Sequence, residues 1–235
     1  MNKNRIGKRN LTTREAWLET TLKRLTPGSR ILDAGAGELK YKKFCQHLKY
    51  VSQDFAQYDG TGNGVGLQTK TWDQTRLDIV SDIASIPEPD GSFDAIMCIE
   101  VLEHIPYPVD AIRELTRLLR PGGDLIVTAP FCSLTHFAPY FYQTGYSRYF
   151  YEYWLADLGY EILDMQFNGN YFEYLAQELH RLPSIAQRYS SKKVSFFEYQ
   201  AMKVILYALS RFSASDTGSN QFLSFGIHVH ARKKS

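Results

Sequence analysis

The segment that most constrains the fold is a short apolar stretch running into two glycines, Ile31-Leu32-Asp33-Ala34-Gly35-Ala36-Gly37. Its apolar start predicts a buried strand, and a helical pattern follows the glycines. Gly35 and Gly37 tolerate backbone angles that other residues avoid, and they let a ligand approach the backbone closely. A helix beginning there would present free N–H groups in its first turn. The stretch therefore predicts a strand, a tight turn and a helix around a pocket for a polar ligand the size of adenosine.

The charge at this turn separates two cofactor classes. Dinucleotide-binding turns follow the pattern G-x-G-x-x-G, whose third glycine allows close packing of helix on strand. Lys40 occupies that third position, and Asp33 places a carboxylate where it would repel a phosphate. A nicotinamide-dependent oxidoreductase is therefore the weaker alternative. A ligand that carries an ammonium and a sulfonium group, S-adenosyl-L-methionine, suits the acid better. Its predicted contacts at the turn are Asp33, Gly35, Ala36 and Gly37.

Further candidate contacts follow later strands. Asp54 ends the second predicted strand, about 20 residues beyond the glycines, where a carboxylate can accept hydrogen bonds from both ribose hydroxyls. Asp82 and Ile83 follow a short third strand. The acid can accept a hydrogen bond from an exocyclic amine and Ile83 offers an apolar wall, so the pair suits an adenine. Glu100 ends the most apolar strand, Phe93 to Ile99, and is the next predicted cofactor contact.

Strand and helix patterns alternate through residues 30–167, the predicted cofactor-binding core. Such alternation favours a parallel sheet with helices on both faces and ligands at the carboxyl ends of the strands. A glycine-rich loop at 60–66 lacks the Gly-Lys-Ser/Thr of a phosphate loop and is expected to be flexible. Residues 168–220 are predicted as a helical insertion, which either roofs the ligand site or only covers the sheet edge. With an N-terminal arm and helix over 1–29 and a last strand and tail over 221–235, the chain is predicted to form a single domain.

Four motifs occur in the order and spacing of class I S-adenosylmethionine-dependent methyltransferases. They are Ile31 to Gly37, Phe93-Asp94-Ala95-Ile96, Glu100-Val101-Leu102-Glu103-His104-Ile105 and Leu119-Arg120-Pro121-Gly122-Gly123. The chain most resembles the small-molecule branch that includes quinone-biosynthesis enzymes. The resemblance implies a Rossmann-like α/β fold with a seven-stranded, mostly parallel sheet and an antiparallel last strand. It also implies glycines against the methionine part of the cofactor, Asp54 on the ribose and Asp82-Ile83 at the adenine. Leu39 stands where some members carry a third glycine. A non-catalytic cofactor-binding subunit stays open as an alternative.

Aromatic residues crowd the segment that follows the fifth predicted strand, from Phe131 to Trp154. His136, Tyr140 and Tyr142 come directly after that strand, so we expect them to lie over the methyl group of the cofactor. Tyr140 and Tyr142 are the predicted acceptor-binding residues. If the acceptor is a hydroxyl, a base has to remove its proton. His136 is the predicted catalytic base, because histidine titrates near neutral pH. The acceptor stays open between a sugar hydroxyl, a phenol and a lipid precursor.

A metal site is an alternative use of some of the same residues. Glu100, Glu103 and His104 have spacings of three and four residues, which gather carboxylates and an imidazole on one helical face. Some relatives bind a divalent metal through this E-x-x-E-H pattern, and His136 would then be a fourth ligand. Many relatives with the same letters bind none. The prediction is therefore helix capping with a cofactor contact from Glu100, and no metal.

Composition bears on compartment and partners. A net charge of +2 argues neither for nor against nucleic acid, and basic residues such as Lys3 and Arg5 are typical of a solvated arm, so we predict no nucleic-acid partner. Three widely spaced cysteines fit neither a disulfide framework nor a zinc ribbon. No apolar run approaches the length of a membrane span, and no signal-peptide pattern is visible. We expect a cytoplasmic protein with a small-molecule acceptor, and the oligomeric state stays open.

Overall fold

The computed structural model describes residues 6–235, so the predicted basic arm residues Lys3 and Arg5 lie outside the described residues. The helices are α1 (Asn10–Leu22), α2 (Pro108–Leu118), α3 (Arg148–Asp157), α4 (Tyr171–Ser190) and α5 (Phe196–Ala214). The strands are β1 (Arg30–Ala34), β2 (Lys49–Asp54), β3 (Ile79–Val80), β4 (Phe93–Ile99), β5 (Leu119–Pro130), β6 (Tyr160–Asn168) and β7 (Gly226–Lys233). Over the described range, each helix is too short or too polar to be a candidate for crossing a bilayer.

The seven strands form one sheet in the order β3-β2-β1-β4-β5-β7-β6. β1 pairs in parallel with β2 and β4, and the same direction continues outward to β3 and β5. β7 runs antiparallel to β5, with Gly226 opposite Pro130 and Arg232 opposite Asp124. The predicted α/β sheet with an antiparallel last strand is confirmed. Because the strand order reverses between β1 and β4, a ligand is expected outside the carboxyl ends of these two strands.

Chain contacts divide the molecule into two compact units. The first comprises residues 16–166 and 226–235, and the second comprises the described residues up to 15 together with 167–225. The helical insertion predicted before the last strand is present as α4 and α5. That the whole chain acts as one domain stays a prediction, and the insertion stays open between roofing the ligand site and only covering the sheet edge.

The core of the first unit explains the apolar sequence of its central strands. One face of β1, β4 and β5 packs with the end of α1, through Trp17, Leu18, Leu22, Ile31, Ala95, Met97, Ile99 and Ile126. The alternate residues Leu32, Ile96 and Cys98 point to the opposite face and are equally buried. Burial on both faces is the usual environment of parallel strands and accounts for the nearly continuous apolar run of β4.

The second unit is a pair of capped helices. The Asn170 side chain accepts a hydrogen bond from the Glu173 N–H at 3.0 Å and starts α4. A capping box starts α5, where the Ser195 N–H donates to the Glu198 carboxylate at 2.7 Å and the Glu198 N–H donates back to the Ser195 hydroxyl. The core of this unit is small and contains Ile6, Ala176 and Leu209, with Phe172, Leu175 and Leu206 packed against it.

The helix predicted after the glycine turn is absent. Only a 3₁₀ turn, Lys42–Phe44, forms between β1 and β2. Leu39 adopts a φ of +61°, a left-handed angle that a right-handed helix cannot contain. Lys40 and Lys43 add like charges on neighbouring positions of the same turn, which further disfavours a helix. Too few residues remain between this turn and Lys49, where β2 begins, for another helix to form.

Candidate cofactor and acceptor site

A cavity of about 520 Å³ opens where β1, β2 and β4 end, at the reversal of strand order. Its volume falls within the range of small-molecule sites. Five of the eight predicted cofactor contacts line it: Gly35, Asp54, Asp82, Ile83 and Glu100. The two predicted acceptor-binding residues, Tyr140 and Tyr142, line the same cavity. Every lining residue belongs to the first unit.

The charge of the cavity wall is one-sided. Asp54, Asp82 and Glu100 contribute acidic side chains, and among residues 6–235 no lysine or arginine lines the cavity. Burial raises the pKa of Asp54, and the N–H groups of Ala56 and Gly37 partly oppose this rise. A pyrophosphate would meet acids here with no cation to balance it. The wall therefore fits the ammonium, ribose and adenine groups of S-adenosyl-L-methionine and disfavours a dinucleotide.

The backbone of the glycine turn is fastened to the end of β2. The N–H groups of Gly35 and Ala36 donate to the Gln53 carbonyl at 2.8 and 2.9 Å. The Gly37 N–H donates to the Asp54 carboxylate at 2.9 Å. The expectation of free N–H groups at a helix start is therefore wrong, because these three donors are occupied and no regular helix follows. These three N–H groups are therefore not available to donate hydrogen bonds to a phosphate.

Gln53 extends this connection to the third strand. Its side-chain amide donates to the Ser81 carbonyl at 2.7 Å, and the Ser81 N–H donates to the Asp54 carbonyl at 3.1 Å. Gln53 is nearly inaccessible to solvent. The turn after β1, the end of β2 and the residues that precede Asp82 are thus held by one buried residue, through its backbone carbonyl and its side-chain amide.

Three predicted cofactor contacts, Asp33, Ala36 and Gly37, are not part of the cavity wall. The Asp33 carboxylate is buried and accepts a hydrogen bond from the Tyr50 hydroxyl at 2.6 Å. Burial raises the pKa of Asp33 to about 7; the Tyr50 hydrogen bond opposes the rise and the Asp54 carboxylate adds to it. A cation close to Asp33 would favour its ionised form.

Aromatic side chains that the sequence did not single out also line the cavity. Tyr58, Trp72 and Phe137 contact one another with ring centroids 4.8 to 5.4 Å apart. Trp72 lies against the glycine turn, since a Cβ added to Gly37 would be 3.1 Å from its ring. The available signal was a lone tryptophan within a polar segment, Leu67 to Arg76.

The glycine-rich loop is docked rather than free. A Cβ added to Gly62 would lie 2.1 Å from the Ala138 carbonyl oxygen, and one added to Gly66 would lie 2.3 Å from that of Thr135. The Leu67 N–H donates to the same Thr135 carbonyl at 2.9 Å, and Leu67 bridges to His136 as an isolated strand pair. The absence of side chains at these glycines allows the loop to hold the segment that carries His136.

Glu103, His104 and His136 form a cluster of acceptors, of which His104 lines the cavity. The Glu103 carboxylate is fully buried, and its Oε1 lies 3.7 Å from His104 Nε2 and 3.8 Å from His136 Nε2. Nδ1 of His104 lies 2.5 Å from the Tyr140 carbonyl oxygen, and Nδ1 of His136 lies 2.9 Å from that of Leu134. Because a carbonyl only accepts, each Nδ1 carries a proton, and Nε2 of the neutral ring is an acceptor.

This cluster lacks the donors that its acceptors require. In the part of the chain that the structure describes, neither Glu103 oxygen nor His104 Nε2 has a hydrogen-bond partner. One ligand atom from each of the three residues lies within 4.8 Å of the other two, as a metal site needs. Glu100 does not join them, since it accepts a hydrogen bond from the Thr128 hydroxyl at 2.8 Å. The E-x-x-E-H alternative thus brings together three of its four residues.

The pKa values in the cluster follow from burial and from neighbouring charge. Burial raises the pKa of Glu103; His136 opposes this rise and Glu100 adds to it. Burial and the nearby His136 lower the pKa of His104 to about 4, so this ring is neutral at pH 7. Burial lowers the pKa of His136, but Glu103 and the Leu134 carbonyl raise it by more, and the net shift is upward. His136 is therefore the member that most readily takes a proton.

Comparison with known proteins agrees with the motifs. The family model described as a methyltransferase domain matches residues 32–127. A ubiquinone biosynthesis O-methyltransferase of Xanthomonas oryzae pv. oryzae is 36% identical over 104 residues, which cover 43% of this chain and 43% of the relative. The chain therefore aligns with less than half the length of this curated relative.

Solved structures extend the similarity to nearly the whole chain at the level of the fold. A SAM dependent methyltransferase from Archaeoglobus fulgidus superposes with a TM-score of 0.58 at 14% identity, covering 94% of both chains. The [4+2]-cyclase SpnF superposes with a TM-score of 0.57 at 21% identity, covering 94% of this chain and 80% of the other. Residues 32–127 are thus similar to a methyltransferase domain, and nearly the whole chain shares the fold of these solved structures.

Proposed function

We propose that the protein transfers a methyl group from S-adenosyl-L-methionine to a hydroxyl group of a small molecule. The observation that carries this proposal is the acid-lined cavity, in which residues from four strand ends and the two acceptor-side tyrosines meet. The Xanthomonas relative is an O-methyltransferase by name, which supports oxygen as the accepting atom. The acceptor is a sugar, a phenol or a lipid precursor. Three free cysteines support a reducing compartment, so we place the reaction in the cytoplasm.

Each part of the cofactor has residues suited to it. Asp54 accepts hydrogen bonds from the ribose hydroxyls, and Asp82 with Ile83 holds the adenine. Gly35 and Glu100 contact the methionine part. Asp33 acts on its ammonium group through charge, while Ala36 and Gly37 shape the turn. Trp72, which lies against Gly37, covers this end of the cavity.

When bound, S-adenosyl-L-methionine supplies an electrophilic methyl group attached to a sulfonium. Tyr140 and Tyr142, which line the cavity, would hold the acceptor with its oxygen towards this methyl group. Much of the catalysis comes from this alignment and from exclusion of water. Methyl transfer would replace the carbon–sulfur bond with an oxygen–carbon bond, and the acceptor hydroxyl would release its proton. His136 takes this proton at Nε2, and the adjacent Glu103 carboxylate stabilises the imidazolium.

A second role for the cluster rests on its unsatisfied acceptors. A buried carboxylate oxygen and two imidazole Nε2 atoms that face one another suit a divalent cation such as Zn²⁺. The two Nδ1–H groups held by carbonyls are the outer contacts that usually orient histidine ligands. Such an ion would lower the pKa of an acceptor hydroxyl. Glu103, His104 and His136 would hold it.

The first experiment measures binding and turnover separately. Calorimetry should show binding of S-adenosylhomocysteine and no binding of NAD; equal or tighter binding of NAD would reject the cofactor assignment. Incubation with methyl-labelled cofactor and a panel of phenols, catechols and sugars should then transfer label to one acceptor class. Cofactor binding with no transfer to any hydroxyl compound, but with transfer to amines, would reject O-methylation.

The second experiment decides the role of the cluster. If His136 is the base, His136→Ala lowers kcat by about 10² to 10⁴-fold and leaves cofactor affinity unchanged. If the cluster holds a cation, the purified protein contains a stoichiometric metal that Glu103→Gln loses. A chelator would then abolish turnover, and added Zn²⁺ would restore it.

A further inference from the structure

Helix α5 is apolar on both sides, although only one side is covered. Met202 and Leu209 are buried on its inner side. Beside this buried stripe lie four exposed residues, which we call the outer face: Phe197, Ala201, Val204 and Ile205. Phe212 is half exposed, and its ring lies 5.6 Å from that of Phe172 on α4. Phe197 and Val204 are 82% and 68% exposed. A surface helix of a soluble protein normally carries polar residues on its outer side, so this face has the character of an interaction surface.

The turn that leads into α5 combines exposed aromatic rings with cations. Phe196 is 70% exposed and Tyr189 is 64% exposed, and the ring of Phe196 lies 5.7 Å from that of Phe197. Lys192 and Lys193 are exposed between them in the chain. We call residues 189–197 the tip. Aromatic rings beside lysines are the side chains that favour the boundary between lipid headgroups and acyl chains.

The charge of this region decides what kind of partner fits. Residues 183–214 contain five cations, Arg188, Lys192, Lys193, Lys203 and Arg211, and one acid, Glu198. Glu198 is already engaged in the capping box of α5. A second copy of this chain docked through the same face would bring cations together. An anionic lipid surface instead offers an apolar layer for the outer face and negative charge for the cations beside it.

A crevice beside the tip suits a lipid headgroup. It measures about 400 Å³ and is lined by Lys193, Ser195, Phe196 and Tyr199, among others. A lysine ammonium, a hydroxyl and two aromatic rings are groups that contact a phosphate and the glycerol next to it. The crevice lies in the second unit, whereas the cofactor cavity is lined by the first unit alone.

We propose that the tip and the outer face of α5 bind the surface of a membrane that contains anionic lipids. The helix lies in the plane of the interface, since Glu198, Lys203 and Arg211 make it too polar to cross the bilayer. The phenylalanines enter the headgroup boundary and the lysines contact the phosphates. The proposal is independent of the methyl acceptor, because neither surface contributes to the cofactor cavity.

Vesicle sedimentation of the full chain tests this inference. The protein should sediment with phosphatidylcholine vesicles that contain one third phosphatidylglycerol and stay in solution with phosphatidylcholine alone. Lys192→Gln combined with Lys193→Gln should weaken binding roughly 25-fold, from the contribution of about fivefold per lysine near an anionic surface. Raised salt should weaken binding of the wild type in the same direction.

Phe197→Glu tests the outer face, with Leu163→Glu as the matched control. Leu163 is an exposed leucine of β6 in the first unit, 42% accessible. Phe197→Glu should abolish sedimentation, whereas Leu163→Glu should sediment like the wild type; urea unfolding checks that both variants are folded. Retained binding of Phe197→Glu, or no binding of the wild type to anionic vesicles, would overturn the proposal. A dimer in analytical ultracentrifugation that Phe197→Glu dissociates would assign the face to a second copy instead.

Discussion

Two neighbouring glycines provide a matched test of how the glycine-rich loop holds the His136 segment. Gly64 and Gly66 have similar left-handed φ values, +75° and +71°. An added Cβ at Gly64 meets nothing within 4 Å, whereas one at Gly66 would lie 2.3 Å from the Thr135 carbonyl oxygen. Alanine at either position costs about 1–2 kcal/mol for its left-handed backbone. Only Gly66→Ala also overpacks the backbone, which adds about 1–3 kcal/mol.

The overpacking should reach His136, the proposed base. A carbon–oxygen contact relaxes towards about 3.5 Å, so the Thr135 carbonyl has to move by roughly 1 Å. Thr135 precedes His136, and a misplacement of that size typically costs about 10²-fold in rate. We expect Gly66→Ala to lose about 2–5 kcal/mol in urea unfolding and about 100-fold in kcat, with cofactor affinity unchanged. Gly64→Ala should lose only the backbone cost and keep its kcat. Equal stability and equal kcat of the two variants would refute this account.

Three further predictions concern the cofactor cavity. Asp54→Asn should weaken binding of S-adenosylhomocysteine by about 1.5–3 kcal/mol in calorimetry, the range for hydrogen bonds to a charged group. Unchanged affinity would leave Asp54 only the structural role of binding the glycine turn. Trp72→Ala should lower the same affinity without changing the affinity for free adenosine, because Trp72 lies against Gly37 rather than at Asp82. Because burial raises the pKa of Asp33 to about 7, the protein without cofactor should lose stability as pH rises from about 4 to 7, by at most about 4 kcal/mol. Asp33→Asn should remove this slope in urea titrations at several pH values, and an identical slope would assign it to other groups.

The sheet was predictable because buried strands leave a strong pattern. Phe93–Ile99 was predicted and is β4 with the same bounds. The positions of Asp54 and Glu100 followed from the rule that ligands gather at the carboxyl ends of parallel strands. The helix after the glycine turn was not predictable from spacing, because apolar residues at helical intervals also fit the compact turns seen there. The left-handed angle of Leu39 decided the outcome, and spacing does not encode it.

The parts of the site that depend on long-range packing could not be predicted from the sequence. Trp72 and Phe137 line the cavity because the glycine-rich loop packs on the His136 segment. No local sequence pattern indicates this packing. Glu103 looked like one of two similar acids, and only the fold shows that it is completely buried while Glu100 bonds to Thr128. Tertiary burial, rather than residue type, separates these two glutamates.

The buried Gln53 has a consequence for how ligands enter the cavity. Its carbonyl receives the glycine turn and its amide holds Ser81, so the methionine end and the adenine end of the cavity share one rigid support. The conformational entropy of the glycine turn and of the Ser81 segment is therefore lost when the chain folds, not when a ligand binds. An adenosine fragment and a methionine fragment should therefore each bind to an end of the cavity that is already ordered. A molecule joining the two then gains affinity from both halves while losing its own freedom of motion once.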